Sequence, residues 1–315
     1  MTFAEKLVHR FGSERVRVEA PLGPWTTFKV GGPAEWLVET TETDEILDAL
    51  RLAHEASVNV TMLGGGSNVL IGDGGVRGLV VRPRGGRVEQ LGPTEIQVDA
   101  PVTVNGLVRW TINRGVAGLE AWAGTPGTVG GAIFGNAHFG GRQIGELVSS
   151  VRLAGADGST RDLPRAGMEF GYDRSRLRRT GEVVLSVVFS VSTGEPAALR
   201  EVARQSLAYR KKTQPLETPS AGCIFQNPVP SDVPQDIPAS AGALVDRAGL
   251  KGMARGGARV STAHANFIVN EGHATAGDIR DLIDLCRSRV RDQFGVTLQE
   301  EIVYLGDFGR DRRGA

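Results

Sequence analysis

At 315 residues the chain has room for about two domains and a sizeable core, so a small scaffold held by disulfides is excluded. Lys plus Arg number 36 and Asp plus Glu number 36; the formal net charge is zero, and no positive field is available for nucleic acid or an anionic membrane. The two cysteines, Cys223 and Cys286, sit in unrelated contexts, a usage that fits a reducing, cytoplasmic compartment. The opening residues lack the apolar core of a signal peptide, and no apolar run is long enough to span a bilayer, so a membrane-bound chain is not expected.

In chain order, Phe3, Leu7, Val8 and Phe11 predict a short amphipathic helix that ends at Gly12. Thr43-Asp44-Glu45 is expected to cap a second helix carrying Ile46, Leu47, Leu50 and Ala53, followed by a strand over Val58 to Leu63 that runs into Gly64-Gly65-Gly66-Ser67-Asn68. Strands are predicted over 78–81 and 95–100, and a helix over 104–113. Further strands follow over 147–153, 160–163 and 183–191, then a helix over about 196–211. The polar stretch Lys211 to Pro219 reads as a boundary, and the proline-rich stretch Pro228 to Pro238 as a surface loop. The last third predicts a helix over 241–248, a strand over 267–269 and a long helix over 275–294, whose stripe of Ile279, Leu282, Ile283, Cys286, Val290 and Phe294 makes Cys286 a core residue.

Glycine is the compositional outlier, and 15 of the 43 glycines fall within residues 64–78 and 124–145. Such clustering suits backbone that approaches a ligand closely, because side-chain-free residues let several N–H groups converge on an anion. Taken alone, residues 64–68 favour a tight structural turn, since no Lys-Ser/Thr follows them and no G-x-G-x-x-G occurs in the chain. The second cluster, Gly124-Thr125-Pro126-Gly127-Thr128-Val129-Gly130-Gly131-Ala132, repeats the device, and a two-part glycine surface suits a dinucleotide. The histidines His9, His54, His138, His264 and His273 show no metal spacing and no G-x-S-x-G element exists, so neither a metal centre nor a hydrolase triad is expected.

These clusters, with Gly118-Leu119-Glu120, Asn136-Ala137, Thr213-Gln214-Pro215, Pro219-Ser220-Ala221-Gly222-Cys223-Ile224-Phe225-Gln226-Asn227-Pro228, Ala248-Gly249-Leu250-Lys251-Gly252, His264-Ala265-Asn266-Phe267-Ile268-Val269-Asn270 and Leu298-Gln299-Glu300-Glu301-Ile302, resemble the UDP-N-acetylenolpyruvoylglucosamine reductase family in order from about residue 22 to residue 306. The resemblance implies an α+β flavoenzyme of peptidoglycan precursor synthesis, with an FAD-binding domain of the vanillyl-alcohol-oxidase type and a smaller α+β substrate-binding domain. NADPH reduces FAD in such enzymes, and the enolpyruvyl ether of a UDP-sugar is reduced to UDP-N-acetylmuramate. The implied division is 1–205 for FAD, as two α+β subdomains split near 80, 206–300 for substrate, and 301–315 as a strand and tail returning to the site.

By the same resemblance Gly64, Gly65, Gly66, Ser67, Asn68, Gly124, Thr128 and Gly130 are assigned to the flavin pyrophosphate, and Cys223 stands where the family has a proton-donating serine. A thiol near its ordinary value of ~8.5 is protonated at neutral pH, so the chemistry survives the exchange; the alternative is a buried structural cysteine. Glu301 is expected on a strand face shared with Val303 and Leu305, where partial burial raises a carboxyl's pKa; the alternative is a solvated edge acid. The family pattern Tyr-Arg-x-Ser is met here by Tyr172-Asp173-Arg174-Ser175, with aspartate in the arginine's place. Arg174, or Arg176 in reserve, is expected to supply the cation, and a solvated basic run is the alternative. Tyr209, Arg210, Gln226 and Asn227 border the Cys223 motif and are assigned to the UDP-sugar. Two rivals stand beside this reading: an oxygen-reacting flavin oxidase, and a flavin-binding module that has lost its catalytic groups.

Overall fold

The structure is a computed structural model that describes residues 1–309; the end of the tail expected over 301–315 lies outside the described residues. The chain divides into two compact units. The first comprises Met1–Ala20, Glu35–Gly65 and Gly78–Tyr209, and the second comprises Pro21–Ala34, Gly66–Arg77 and the chain from Arg210 onward. Two short early segments thus belong with the C-terminal third, which a linear cut near 205 does not anticipate.

Two larger sheets make up most of the first unit's β structure. Strands Val16–Pro21, Pro33–Thr40, Val76–Pro83 and Val60–Met62 hydrogen-bond in that order. Helix Phe3–Phe11, closed by reciprocal bonds between Thr2 and Glu5, buries Leu7 and Phe11 with Val38, Ala49, Ala53 and Leu79. The second helix spans Thr43–Glu55, and Thr43 does not cap it: the N-cap is Glu42, without a side-chain bond. Glu45 reaches back to the Thr41 N–H at 2.8 Å and draws the boundary one residue earlier.

The other sheet has five antiparallel strands in the order Thr160–Pro164, Val148–Ala154, Val183–Ser190, Glu95–Asp99 and Val88–Gln90. Its middle strand is apolar on both faces, with Ser186 as the interruption, for a physical reason. The register against Val148–Ala154 shifts between Arg152 and Leu153, a bulge that turns the side chains over. Val187 and Phe189 therefore pack with Val98, Leu107 and Ile133, whereas Val183 and Leu185 pack with Ile46, Leu47 and Leu50 of the Thr43–Glu55 helix.

The second unit is built on helix Ala276–Phe294 and the three-stranded sheet Ala254–Arg255, Ala258–Val260, Ile268–Asn270. Thr275 and Asp278 form a capping box, Asp73 accepts the Ala276 and Gly277 N–H groups at 2.9 Å each, and Gly295 ends the helix at φ +72°. Ile279, Leu282, Ile283, Cys286 and Val290 of the predicted stripe are buried and Phe294 is half-buried; each buried aliphatic among them is worth ~1.5–3 kcal/mol of transfer. Burial pushes the Cys286 thiol up to about 12, an inert core position. Strand Val69–Ile71 pairs in parallel with Val303–Leu305.

Candidate active site

The two glycine clusters meet within the first unit. A side chain on Gly65 would lie 2.5 Å from the Gly127 Cα, where backbone packs on backbone, and one on Gly64 would lie 2.6 Å from the Thr128 side-chain Oγ1. Among the described residues no chain acceptor takes the backbone N–H groups of Gly64, Gly65, Gly127 and Thr128. Four such donors at one junction fit the pyrophosphate of a dinucleotide. Gly124 and Gly130 use their N–H groups internally, on Asn105 Oδ1 at 2.7 Å and the Ala100 carbonyl at 2.9 Å, and so shape the surface rather than donate from it. Thr128 caps helix Val129–Gly135 through the Gly131 N–H.

In the second unit the segment after Cys223 lies antiparallel to the segment ending in Glu301. The Glu301 N–H donates to the Ile224 carbonyl at 2.8 Å, the Gln226 N–H donates to the Gln299 carbonyl at 2.8 Å, and Phe225 pairs with Glu300. Cys223 and Glu301 are thereby held on adjacent strands of chain. Gly222 precedes the thiol at φ +80° with open space where a side chain would project, and Cys223 is partly exposed. The strand expected from Glu301 begins only at Val303, and the fully buried neighbour is Ile302, not Val303 or Leu305. Pairing with residues 224–226 rather than with Val69–Ile71 fixes the backbone at Glu301, so the expected face does not apply there. Glu300 is turned elsewhere: its Oε1 accepts from Arg287 at 2.9 Å.

Asn68 closes this arrangement from the glycine-rich side. Its side-chain amide donates to the Glu301 carbonyl at 3.4 Å, and its own carbonyl accepts from Val303 at 3.0 Å. Gly66 and Ser67 lie in the same unit. Arg210 is buried; burial pulls its guanidinium down to about 10, and the nearby Cys223 sulfur opposes that shift. Asn227 accepts the Ala241 N–H at 3.1 Å and so braces helix Ala241–Arg247, while Gln226 is half-buried.

Arg174 and Tyr209 belong to the first unit. The Arg174 side chain is exposed and lies against Gly171; Arg176 is held by Glu182 at 3.1 Å and by the Gly167 carbonyl at 3.2 Å, a structural pairing. Tyr209 is 59 % exposed, with Phe139 edge-on to its ring at 6.1 Å. Two features escape a reading of the sequence. Asn266, buried, clamps Phe225 by accepting its N–H at 2.9 Å and donating to its carbonyl at 2.8 Å, which sets the Cys223 segment; its place in His264-Ala265-Asn266-Phe267 is the signal that could have found it. The other is His138, paired with Asp173 at 2.8 Å.

Residues 34–164 match the family model described as an FAD binding domain, and residues 214–305 match that of the UDP-N-acetylenolpyruvoylglucosamine reductase C-terminal domain. The chain is 40% identical over 294 residues to UDP-N-acetylenolpyruvoylglucosamine reductase 2 of Symbiobacterium thermophilum, covering 93% of this chain and 92% of that protein. It is 40% identical over 306 residues to the reductase of Myxococcus xanthus, covering 96% of each. The crystal structure of the enzyme so named from Thermus caldophilus superposes with a TM-score of 0.77 at 32% identity, covering 92% of this chain and 100% of that one.

Proposed function

Because the chain belongs to the UDP-N-acetylenolpyruvoylglucosamine reductase family, we propose that Cys223 and Glu301 are the protein groups that complete reduction of an enolpyruvyl ether. The chain is an FAD-dependent oxidoreductase that converts the enolpyruvyl ether of UDP-N-acetylglucosamine to UDP-N-acetylmuramate in peptidoglycan precursor synthesis. NADPH is the reductant in this reading and the cytoplasm the compartment. Supporting the latter, neither cysteine is in a disulfide, and among the described residues no helix is long and apolar enough to cross a membrane.

Bound FAD supplies the passage of hydride from NADPH to the sugar substrate, and the N–H groups of Gly64, Gly65, Gly127 and Thr128 hold its pyrophosphate. Hydride addition to the enolpyruvyl group leaves enolate charge beside a carboxylate, which calls for a cation and then a proton. Cys223 gives that proton. Arg210 stays protonated at neutral pH and places positive charge beside the sulfur, which favours the thiol's release of its proton. Glu301 is positioned by the Ile224 carbonyl on one side and by Asn68 on the other, and acts on the same charge. Tyr209 and Gln226 are offered to the UDP-sugar, and Asn227 braces helix Ala241–Arg247.

The single observation that carries this assignment is the Glu301 to Ile224 bond, which ties the acid to the thiol's segment. Anaerobic mixing of the NADPH-reduced holoenzyme with the enolpyruvyl UDP-sugar tests it: flavin colour returns with substrate. Return only on admission of oxygen would establish an oxidase, and return with neither would establish a binding module.

A further inference from the structure

Within the second unit, strand Ile268–Asn270 and the residues just before it hold the thiol's segment at both ends. The Asn270 N–H donates to the Pro219 carbonyl at 2.9 Å, and the Ile224 N–H donates to the Asn266 carbonyl at 2.8 Å. Ser220, Ala221, Gly222 and Cys223 form the arc between these anchors, with Ala221 buried and Gly222 in the left-handed region. Asn270 is itself fixed. Its amide nitrogen donates to the Phe28 carbonyl at 2.9 Å, and its amide oxygen accepts the Gly272 N–H at 2.8 Å and the Ala274 N–H at 3.0 Å.

Past the arc, Phe225 lies between residues 299–301 and Asn266. The Ile224 carbonyl and the Gln226 N–H are bonded to Glu301 and Gln299, whereas both backbone groups of Phe225 turn the other way, onto the Asn266 amide. Asn266, 3% exposed, stands where a further strand would lie. An amide carries acceptor and donor on separate atoms, so it meets the N–H and the carbonyl of one residue together. Phe225 is buried, and without that amide its backbone groups would be left unmet away from water, a costly outcome. One side chain therefore closes the edge of the backbone that carries Cys223 opposite the edge that pairs with Glu301.

We propose that Asn266 is a positioning residue for the protonation step, holding the Phe225 backbone so that the Cys223 thiol keeps its place beside Glu301. This rests on the reductase reading in which Cys223 gives the proton. Asn266 acts through the thiol and not on the substrate. A proton donor works only within hydrogen-bond reach of the atom it protonates, so a small drift of the arc costs rate at that step and leaves the flavin's own reduction alone.

The test is anaerobic stopped-flow of the NADPH-reduced holoenzyme with saturating enolpyruvyl UDP-sugar. Asn266→Ala slows reoxidation ~10–10²-fold, part of the ~10²–10⁴-fold that loss of a general acid costs, with flavin content and NADPH bleaching as in wild type. Placed in Cys223→Ala, the same substitution adds little further loss, because the two residues act through one step. Asn266→Asp keeps the shape and serves also if the alanine variant does not fold. Protonated, its carboxyl accepts from and donates to Phe225 as the amide does; ionised, it cannot donate, and burial raises the pKa at which that happens. Its reoxidation relative to wild type therefore falls as pH rises from about 5 to about 9, above the ordinary aspartate value of ~3.9. The titratable groups around residue 266 are His264, whose Nδ1 accepts the Asn266 N–H at 3.2 Å, Lys251 beside His264, and Cys223, Glu300 and Glu301 on the paired segments. Wild type carries them all, so the ratio isolates residue 266. Equal fold losses in the wild-type and Cys223→Ala backgrounds, equal slowing of NADPH bleaching, or an Asn266→Asp rate that matches wild type at every pH overturns the assignment. If wild-type flavin is bleached by NADPH and not reoxidised by the enolpyruvyl substrate, or if Cys223→Ala reoxidises at the wild-type rate, it is the underlying reading that falls.

Discussion

Under the proposed assignment, removal of the Cys223 thiol separates proton delivery from everything that precedes it. Cys223→Ala should bleach with NADPH at the normal rate and reoxidise with substrate ~10²–10⁴-fold more slowly, the usual scale for loss of a general acid; Cys223→Ser should retain substantial turnover. Stopped-flow traces of the two half-reactions decide it, and equal reoxidation by Cys223→Ala would make the thiol structural. Glu301→Gln should slow reoxidation by orders of magnitude with flavin content unchanged. Its neighbour is no silent control, because Glu300 holds Arg287: Glu300→Gln should lower the unfolding midpoint slightly and leave reoxidation alone. Resemblance of their motifs to the reductase family, rather than spacing or periodicity, is what singles out Cys223 and Glu301 in the sequence. It was not enough to orient them, since Glu301 takes its direction from the Ile224 carbonyl, a partner 77 residues earlier that no local alternation encodes. The pairing of His138 with Asp173 stayed hidden for a similar reason: the sequence marks Asp173 as a departure from the family pattern but says nothing of a partner 35 residues earlier.

At the level of elements, the packing of Gly65 on Gly127 makes even a methyl group disruptive. Gly65→Ala should purify with a lower flavin-to-protein absorbance ratio; a full complement of FAD would show that the two loops part without losing the cofactor. Helix Ala276–Phe294 offers a pH-dependent test. The Thr275 backbone N–H holds the Asp278 carboxyl below its ordinary range, and a carboxyl lowered by folding adds stability above its unfolded pKa that is lost as pH falls through the folded value. Asp278→Asn should therefore cost at most ~1 kcal/mol near neutrality, given its exposure to solvent, and the gap from wild type should close on acidification, as read from urea midpoints at about pH 7 and about pH 3. This helix was legible nearly residue for residue, because apolar stripe, cap and terminal glycine agree. Strands of three residues such as Val88–Gln90 and Val69–Ile71 carry too little period to be told from loop.

For the whole molecule, a ligand that binds only the folded state raises stability by mass action, ~2.7 kcal/mol at about a hundredfold excess over its Kd. Protein stripped of flavin should melt several degrees lower, and its Tm should climb with added FAD and not with added FMN if the pyrophosphate is what the glycines hold. The α+β class and the order of elements were readable from periodicity, but the membership of Pro21–Ala34 and Gly66–Arg77 in the second unit was not, because it depends on pairings across most of the chain. One of these has a bearing on synthesis. Val69–Ile71 finds its partner in Val303–Leu305, and Asn68 reaches Glu301 across 233 residues, so on the ribosome the early strand waits with an unpaired apolar edge while the five-stranded sheet, complete by Ser190, can already close. A nascent or prematurely ended chain would carry a folded first sheet beside an open strand, the kind of surface that chaperones and proteases recognise.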